Sequence, residues 1–131
     1  MALELLDRNA PGGCPRGNLL VQGDNLEVAR LVHPEYAGRV DVLYLDPPFA
    51  SGQDYQVSTL REGRRHRQHA YRDRFPGGLA GYREWMAPRL EAACGLLAPD
   101  GALYLHCDTR ACHVLRCLLD ETLGERRFRA Q

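Results

Sequence analysis

Asp46-Pro47-Pro48-Phe49 is the tetrapeptide in this chain whose residue types and order could carry chemistry. Both prolines have a fixed φ and no backbone N–H, so the carbonyls of Asp46 and Pro47 cannot be neutralised by a local turn through those nitrogens. The corner is rigid and presents only acceptors. A carboxylate beside a fixed carbonyl offers two acceptors to one point, which suits an exocyclic amine bearing two N–H donors. Phe49 adds a flat apolar face on which a ring can stack. The plainer reading is that Asp46 ends a strand, the prolines turn the chain and Phe49 plugs the core, and the four residues alone do not separate the two.

The flanking pattern predicts the elements that hold this corner. "RVDVLYLD" is a nearly continuous apolar run through Val40, Val42, Leu43, Tyr44 and Leu45, the pattern of a strand covered on both faces. Before it, "NLLVQGDN" reads as a short strand and turn, followed by a helix over "NLEVARLVHPEY" that Pro34 stops. After it, "YREWMAPRLEAACGLL" has helical spacing, with Pro88 set to kink or divide it. In that segment Trp85 reads as a core residue. "APDG" then reads as a turn and "ALYLHCD" as a strand. The final helix, "TRACHVLRCLLDETLG", has Asp108 or Thr109 as its cap and Gly124 at its end.

The order βα, β, long loop, α, β, α calls for an α/β fold, a Rossmann-like parallel sheet with helices on both faces. Ligands in such sheets gather beyond the carboxyl ends of the strands. Asp24, Asp46 and Asp108 all follow strands, so three acids are expected on one rim.

Two segments stand apart. Residues 1–17 include "NAPGGCPRG" and read as a flexible leader, with the fold beginning at Asn18. Residues 50–81 lose apolar periodicity and read as a long Arg-rich loop, with six arginines and two histidines between Arg61 and Arg74 against Glu62 and Asp73. Arg64, Arg65 and Arg67 in it are candidates for DNA phosphate contact, the bland alternative being a solvated lid. The charge signal is local, since 17 basic and 17 acidic residues balance over the whole chain and every basic one is arginine. That balance announces neither a nucleic-acid nor a membrane partner for the molecule as a whole.

Five cysteines, an odd number, and the lack of any secretory or bilayer-length apolar run predict a reducing, cytoplasmic setting. His106, Cys107, Cys112, His113 and Cys117 raise a zinc reading, but no Cys-x-x-Cys pair accompanies them. Buried cysteines with exposed or hydrogen-bonded histidines are the expected state, with no metal.

The sequence resembles the amino-group DNA methyltransferases of the circularly permuted β class, which include modification subunits of restriction systems. The resemblance rests on "NLLVQGDNLEVARLV", "VDVLYLDPPFASGQDY", "YRDRF", "GYREWMAPRLEAACGLLAPDGALYLHCD" and "LLDETLGERRF", in the family's order, and runs from about Asn18 to the end. It implies transfer of a methyl group from S-adenosylmethionine to adenine N6 in double-stranded DNA, with cytosine N4 as the close alternative. Asp46 and the Pro47 carbonyl become the acceptors for the target amine, Phe49 the stacking partner of a flipped base, and Asp24 a cofactor-binding candidate. Tyr71 and Asp73 fall in a block near the substrate loop.

The family's glycine-rich cofactor motif has no counterpart here. The resemblance therefore implies the N-terminal part of an incomplete methyltransferase fold, inactive alone. A C-terminal half or a partner chain would complete it, and a restriction subunit could accompany it. The reading of another class is a non-catalytic DNA-binding or assembly half of a split enzyme.

Overall fold

A computed structural model of the chain describes residues 4–7, 20–61 and 64–131. In order, the elements are β1 (Glu4–Asp7), β2 (Leu20–Gln22), α1 (Asn25–Tyr36), β3 (Val40–Leu45), β4 (Asp54–Arg61), β5 (Arg64–Arg72), α2 (Leu79–Cys94), β6 (Leu97–Leu105) and α3 (Cys112–Leu123), with a 3₁₀ turn at Glu125–Arg127. The result is a mixed α/β fold with three helices and a small parallel sheet among the described residues.

The core forms where two helical stripes meet. Tyr82, Met86 and Leu90 recur at four-residue spacing on α2 and face Ala111, Leu115 and Leu118 of the α3 segment, all 3% exposed or less. Leu45 at the end of β3 and Leu105 at the end of β6 pack against this cluster. Each large apolar side chain buried this way contributes about 1.5–3 kcal/mol. Helix α1 packs on the other flank of α2.

Strands β3 and β6 pair in parallel, with Leu43 opposite Leu103, Tyr44 opposite Tyr104 and Leu45 opposite Leu105. Between Val40 and Val42 the partner strand carries extra residues, because Val40 faces Leu97 and Val42 faces Ala102. The "APDG" segment is thus a bulge inside β6 rather than a turn before it. Gly101 is needed there, since a Cβ would meet the Val40 carbonyl oxygen at 2.8 Å.

Several expectations are corrected. The helices cover one face of the β3–β6 pair, not both: Leu43, Leu45, Leu103 and Leu105 are half-buried while Val42, Tyr44 and Tyr104 are 62%, 64% and 60% exposed. An apolar run does predict two covered faces, but the described residues supply helices for one. Strand β2 does not join the parallel β3–β6 sheet; it forms a separate antiparallel pair with β1. Within the stretch read as a leader, Glu4–Asp7 is therefore a strand, and the rest of residues 1–17 lies outside the described residues.

The Arg-rich segment is an antiparallel hairpin of β4 and β5, not a loop. Its described side chains are largely exposed, so no buried face imposes the alternation by which a strand is recognised. Proline misleads as well. Helix α1 runs past Pro34 to Tyr36, and α2 runs past Pro88 to Cys94. Each proline removes one hydrogen bond while the packed faces hold the helix together.

Replacing Leu115 by Ala should cost about 2–5 kcal/mol of stability, whereas Tyr104→Thr on the bare sheet face should stay within about 0.5 kcal/mol. Urea denaturation of the two variants checks this; equal losses would mean that the helix interface is not the core.

Candidate functional site

The carboxyl ends of β3 and β6 lie side by side, tied by a hydrogen bond from the His106 N–H to the Leu45 carbonyl at 2.8 Å. This adjacency brings Asp46 and Asp108 to one rim. Asp46 is exposed, and its carboxylate accepts no hydrogen bond from the described residues; nor does the Pro47 carbonyl. Pro47, Pro48 and Phe49 are half-buried, with no cis peptide bond. The Phe49 ring lies 5.4 Å from that of His106, tilted at 53°, so the end of β6 supports the aromatic. Two unclaimed acceptors therefore project beside a buttressed ring.

The segment after Phe49 turns sharply. Ala50 has φ +55°, a left-handed conformation that costs a non-glycine residue roughly 1 kcal/mol. Fully buried Asp73, just past β5, meets this turn: its Oδ1 accepts from the Ala50 N–H and its Oδ2 from the Ser51 N–H, each at 2.8 Å. The foot of the hairpin is closed by Tyr55 stacked on Tyr71, ring centroids 4.8 Å apart. The Tyr71 hydroxyl is pushed up by partial burial, then by Tyr55 and the Asp73 and Asp46 carboxylates, which places it within electrostatic reach of the rim.

Asp108 caps the turn leading into α3, accepting from the N–H groups of Arg110 at 2.9 Å and Ala111 at 3.3 Å. The Arg110 guanidinium bonds its other oxygen at 2.7 Å and reaches the Ser51 carbonyl at 3.5 Å. Slight burial acts to raise the Asp108 carboxyl, but the Arg110 side chain and the two N–H donors outweigh it and hold it below the usual range. Beneath the rim, the fully buried Tyr82 hydroxyl has no hydrogen-bond partner among the described residues. Burial raises it far above the ordinary phenol value, and Asp73, Cys107 and Asp108 add to the shift.

Asp24 sits differently. It follows β2, which pairs with β1 and not with β3, so only two of the three acids are shown sharing a rim. Its Oδ1 caps α1 through the Leu26 N–H at 3.0 Å, and its Oδ2 pairs with Arg89 of α2 at 2.7 Å. Arg89 is 11% exposed, also reaches Asn25 and the Trp85 carbonyl, and lies 3.9 Å over the Trp85 ring. Trp85 packs against the core cluster as its helical spacing predicts, whereas no local pattern signals the arginine that anchors Asp24 to it.

Arg64 and Arg65 are exposed on the hairpin; the side chain of Arg67 lies outside the described residues. Cys94 is half-buried, its thiol pushed up to about 11 by burial, while Cys117 is exposed. Among the described residues no group of three His, Cys, Asp or Glu side chains converges in a way that could hold a metal ion. The larger cleft, between α1 and α2, is lined by Arg30, His33, Pro34, Pro88 and Glu91 and includes none of the rim residues.

No family model matches the chain. Over 116 residues, 88% of its length, it is 29% identical to the probable type III restriction-modification enzyme HindVI Mod subunit of Haemophilus influenzae, of which it spans 14%. It is 30% identical over 87% of its length to the type III restriction-modification enzyme EcoPI Mod subunit of Escherichia phage P1, spanning 20% of that protein. To the type II methyltransferase M.EcaI of Enterobacter cloacae it is 36% identical over 90 residues, 69% of this chain and 18% of the relative. The chain thus spans a fifth or less of these curated relatives. No described helix is long and apolar enough to cross a membrane.

The Asp24 pairing has a pH signature. Partial burial acts to raise this carboxyl, but Arg89 and the α1 N–H groups outweigh it, so its folded pKa lies below the unfolded value of about 3.9. The stability from its charge is therefore complete above that value and lost as pH falls through the folded one. The Tm advantage of the wild type over Asp24→Asn should be constant from pH 7 to 5 and shrink below about pH 4. An advantage unchanged at pH 3, followed by thermal melts, would rule out the charge as its source.

Proposed function

We propose that this chain carries the base-amine side of a DNA amino-methyltransferase site, belonging to a restriction-modification methyltransferase that acts on adenine N6. One observation carries the reading: the Asp46 carboxylate and the Pro47 carbonyl, neither bonded by a described residue, follow a strand end beside Phe49, which His106 supports, in a chain similar to Mod subunits and a type II methyltransferase. Asp before Pro-Pro favours adenine over cytosine N4 within the pattern the sequence resembles.

An exocyclic amine is a poor nucleophile because its lone pair is conjugated into the ring. Asp46 and the Pro47 carbonyl each accept one of its N–H groups, which favours the pyramidal form whose lone pair is free to attack. Both acceptors act most strongly as positive charge develops on nitrogen, so they stabilise the transition state more than the ground state. The Asp46 carboxylate can also take up the proton the amine must lose. Phe49 stacks on a base taken out of the duplex, offsetting part of the few kcal/mol that unstacking costs. Pro47 and Pro48 keep the corner from relaxing onto a local donor.

S-adenosylmethionine is the methyl donor this reading requires. Asp24, at a strand-to-helix turn and 39% exposed, is what the chain offers it, and both its oxygens already have partners. The described residues fit the amine better than the cofactor.

Arg64, Arg65 and Arg67 on the hairpin are proposed to meet phosphates of double-stranded DNA, and a restriction subunit is the companion expected from the Mod relatives. The bare sheet face of Val42, Tyr44 and Tyr104 favours a second form of the reading, in which a C-terminal half or a partner chain lies against this one.

In the protein as its native gene encodes it, Asp46→Asn should lower the methyl-transfer kcat about 10²- to 10³-fold with DNA affinity retained. Mass spectrometry of nucleosides should show N6-methyladenine from the wild type; an active Asp46→Asn, or N4-methylcytosine as product, overturns the respective part. Joint replacement of Arg64, Arg65 and Arg67 by Ala should flatten the salt dependence of DNA binding by roughly 0.9 in log–log slope for each phosphate no longer neutralised. An unchanged slope removes the hairpin from the interface.

A further inference from the structure

We infer that Asp73 is a positioning residue for the Asp46-Pro47-Pro48-Phe49 corner, acting as a built-in anion that holds the turn after Phe49. The inference rests on the proposed role of Asp46 and deepens it.

Two successive backbone N–H groups that point to one side form a concavity suited to an anion. Ala50 and Ser51 make such a pair, and the Asp73 carboxylate fills it with one oxygen on each. The Asp73 backbone binds the same strip, its N–H to the Gln53 carbonyl and its carbonyl to the Gly52 N–H, both at 2.9 Å. One residue therefore holds all four positions from Ala50 to Gln53.

Ala50 is the one non-glycine residue with positive φ among the described residues, and it immediately follows the stacking aromatic. Such a conformation persists only when its surroundings impose it. Were the turn to relax to negative φ, the chain would leave Phe49 in a new direction. The ring would then swing relative to His106, and the Pro47 carbonyl with it. Asp73 is fully buried and donates nothing to the rim, so it acts through Ala50 and does not touch the substrate. Beyond Arg74, Phe75 and Pro76 lead into α2, where the Pro76 carbonyl lies so close to Gly81 that a Cβ there would collide with it.

The test compares wild type, Asp73→Asn, Ser51→Pro and the double variant Asp73→Asn/Ala50→Gly in the protein as its native gene encodes it. Asn keeps one acceptor and turns an N–H₂ donor toward a backbone donor; Pro removes the Ser51 N–H without touching the core. Both single variants should lose about 10- to 100-fold in kcat, with KM for DNA within about threefold. Glycine adopts positive φ unaided, so the double variant should recover at least about fivefold over Asp73→Asn. Amide hydrogen exchange should lose protection at Ala50 and Ser51 in Asp73→Asn while Leu90 and Leu115 keep theirs. An active wild type with full kcat in both single variants overturns the inference alone. Lost protection throughout the core, with no recovery by glycine, also overturns it and makes Asp73 a residue of general stability. A wild type that transfers no methyl group overturns the reading of Asp46 and the inference with it.

Discussion

The contact between α2 and α3 is the constraint on which the rest of the structure depends. Tyr82, Met86 and Leu90 close against Ala111, Leu115 and Leu118, and the last residues of two strands, Leu45 and Leu105, pack against the same cluster. Burying them fixes where β3 and β6 stop, and the residues that follow are Asp46 and His106. The site is thus set by the last apolar residue that the core accepts on each strand, and polarity begins one residue later on both.

The same core carries a polar tension. The Tyr82 hydroxyl is buried without a described partner, and an orphaned hydroxyl of this kind costs roughly 1–3 kcal/mol. It lies in the field of buried Asp73 and of Cys107 and Asp108 at the end of β6. The core and the site therefore share a boundary where neither apolar packing nor hydrogen bonding is complete. Stability is conceded at the place where free acceptors are kept.

Arginine serves two opposed purposes in this chain. Arg89 is nearly buried, with a carboxylate, an amide, a carbonyl and an indole face around it, so its charge locks α1 to α2. Arg64 and Arg65 on the hairpin are exposed, with no such set of acceptors around them among the described residues. Residue type does not distinguish the two uses; the number of acceptors within reach does.

The sequence by itself determined the local chemistry: an acid at a strand end, two prolines that forbid a backbone donor, an aromatic beside them, and helices whose apolar stripes fall where α2 and α3 bury them. These follow from covalent geometry and from period, both of which are written in neighbouring residues. It also pointed to the carboxyl ends of the strands as the place to look. It misjudged the hairpin, because a ladder with no buried face leaves no alternation to read, and it let Pro34 end a helix that packing carries further. Only the tertiary structure decided that Asp46 has no partner among the described residues while Asp24 is held by Arg89, that His106 backs Phe49, and that Asp73 reaches back more than twenty residues to Ala50 and Ser51. Such pairings join residues far apart in sequence, and no local pattern encodes which carboxylate will find a partner once the chain has closed around it.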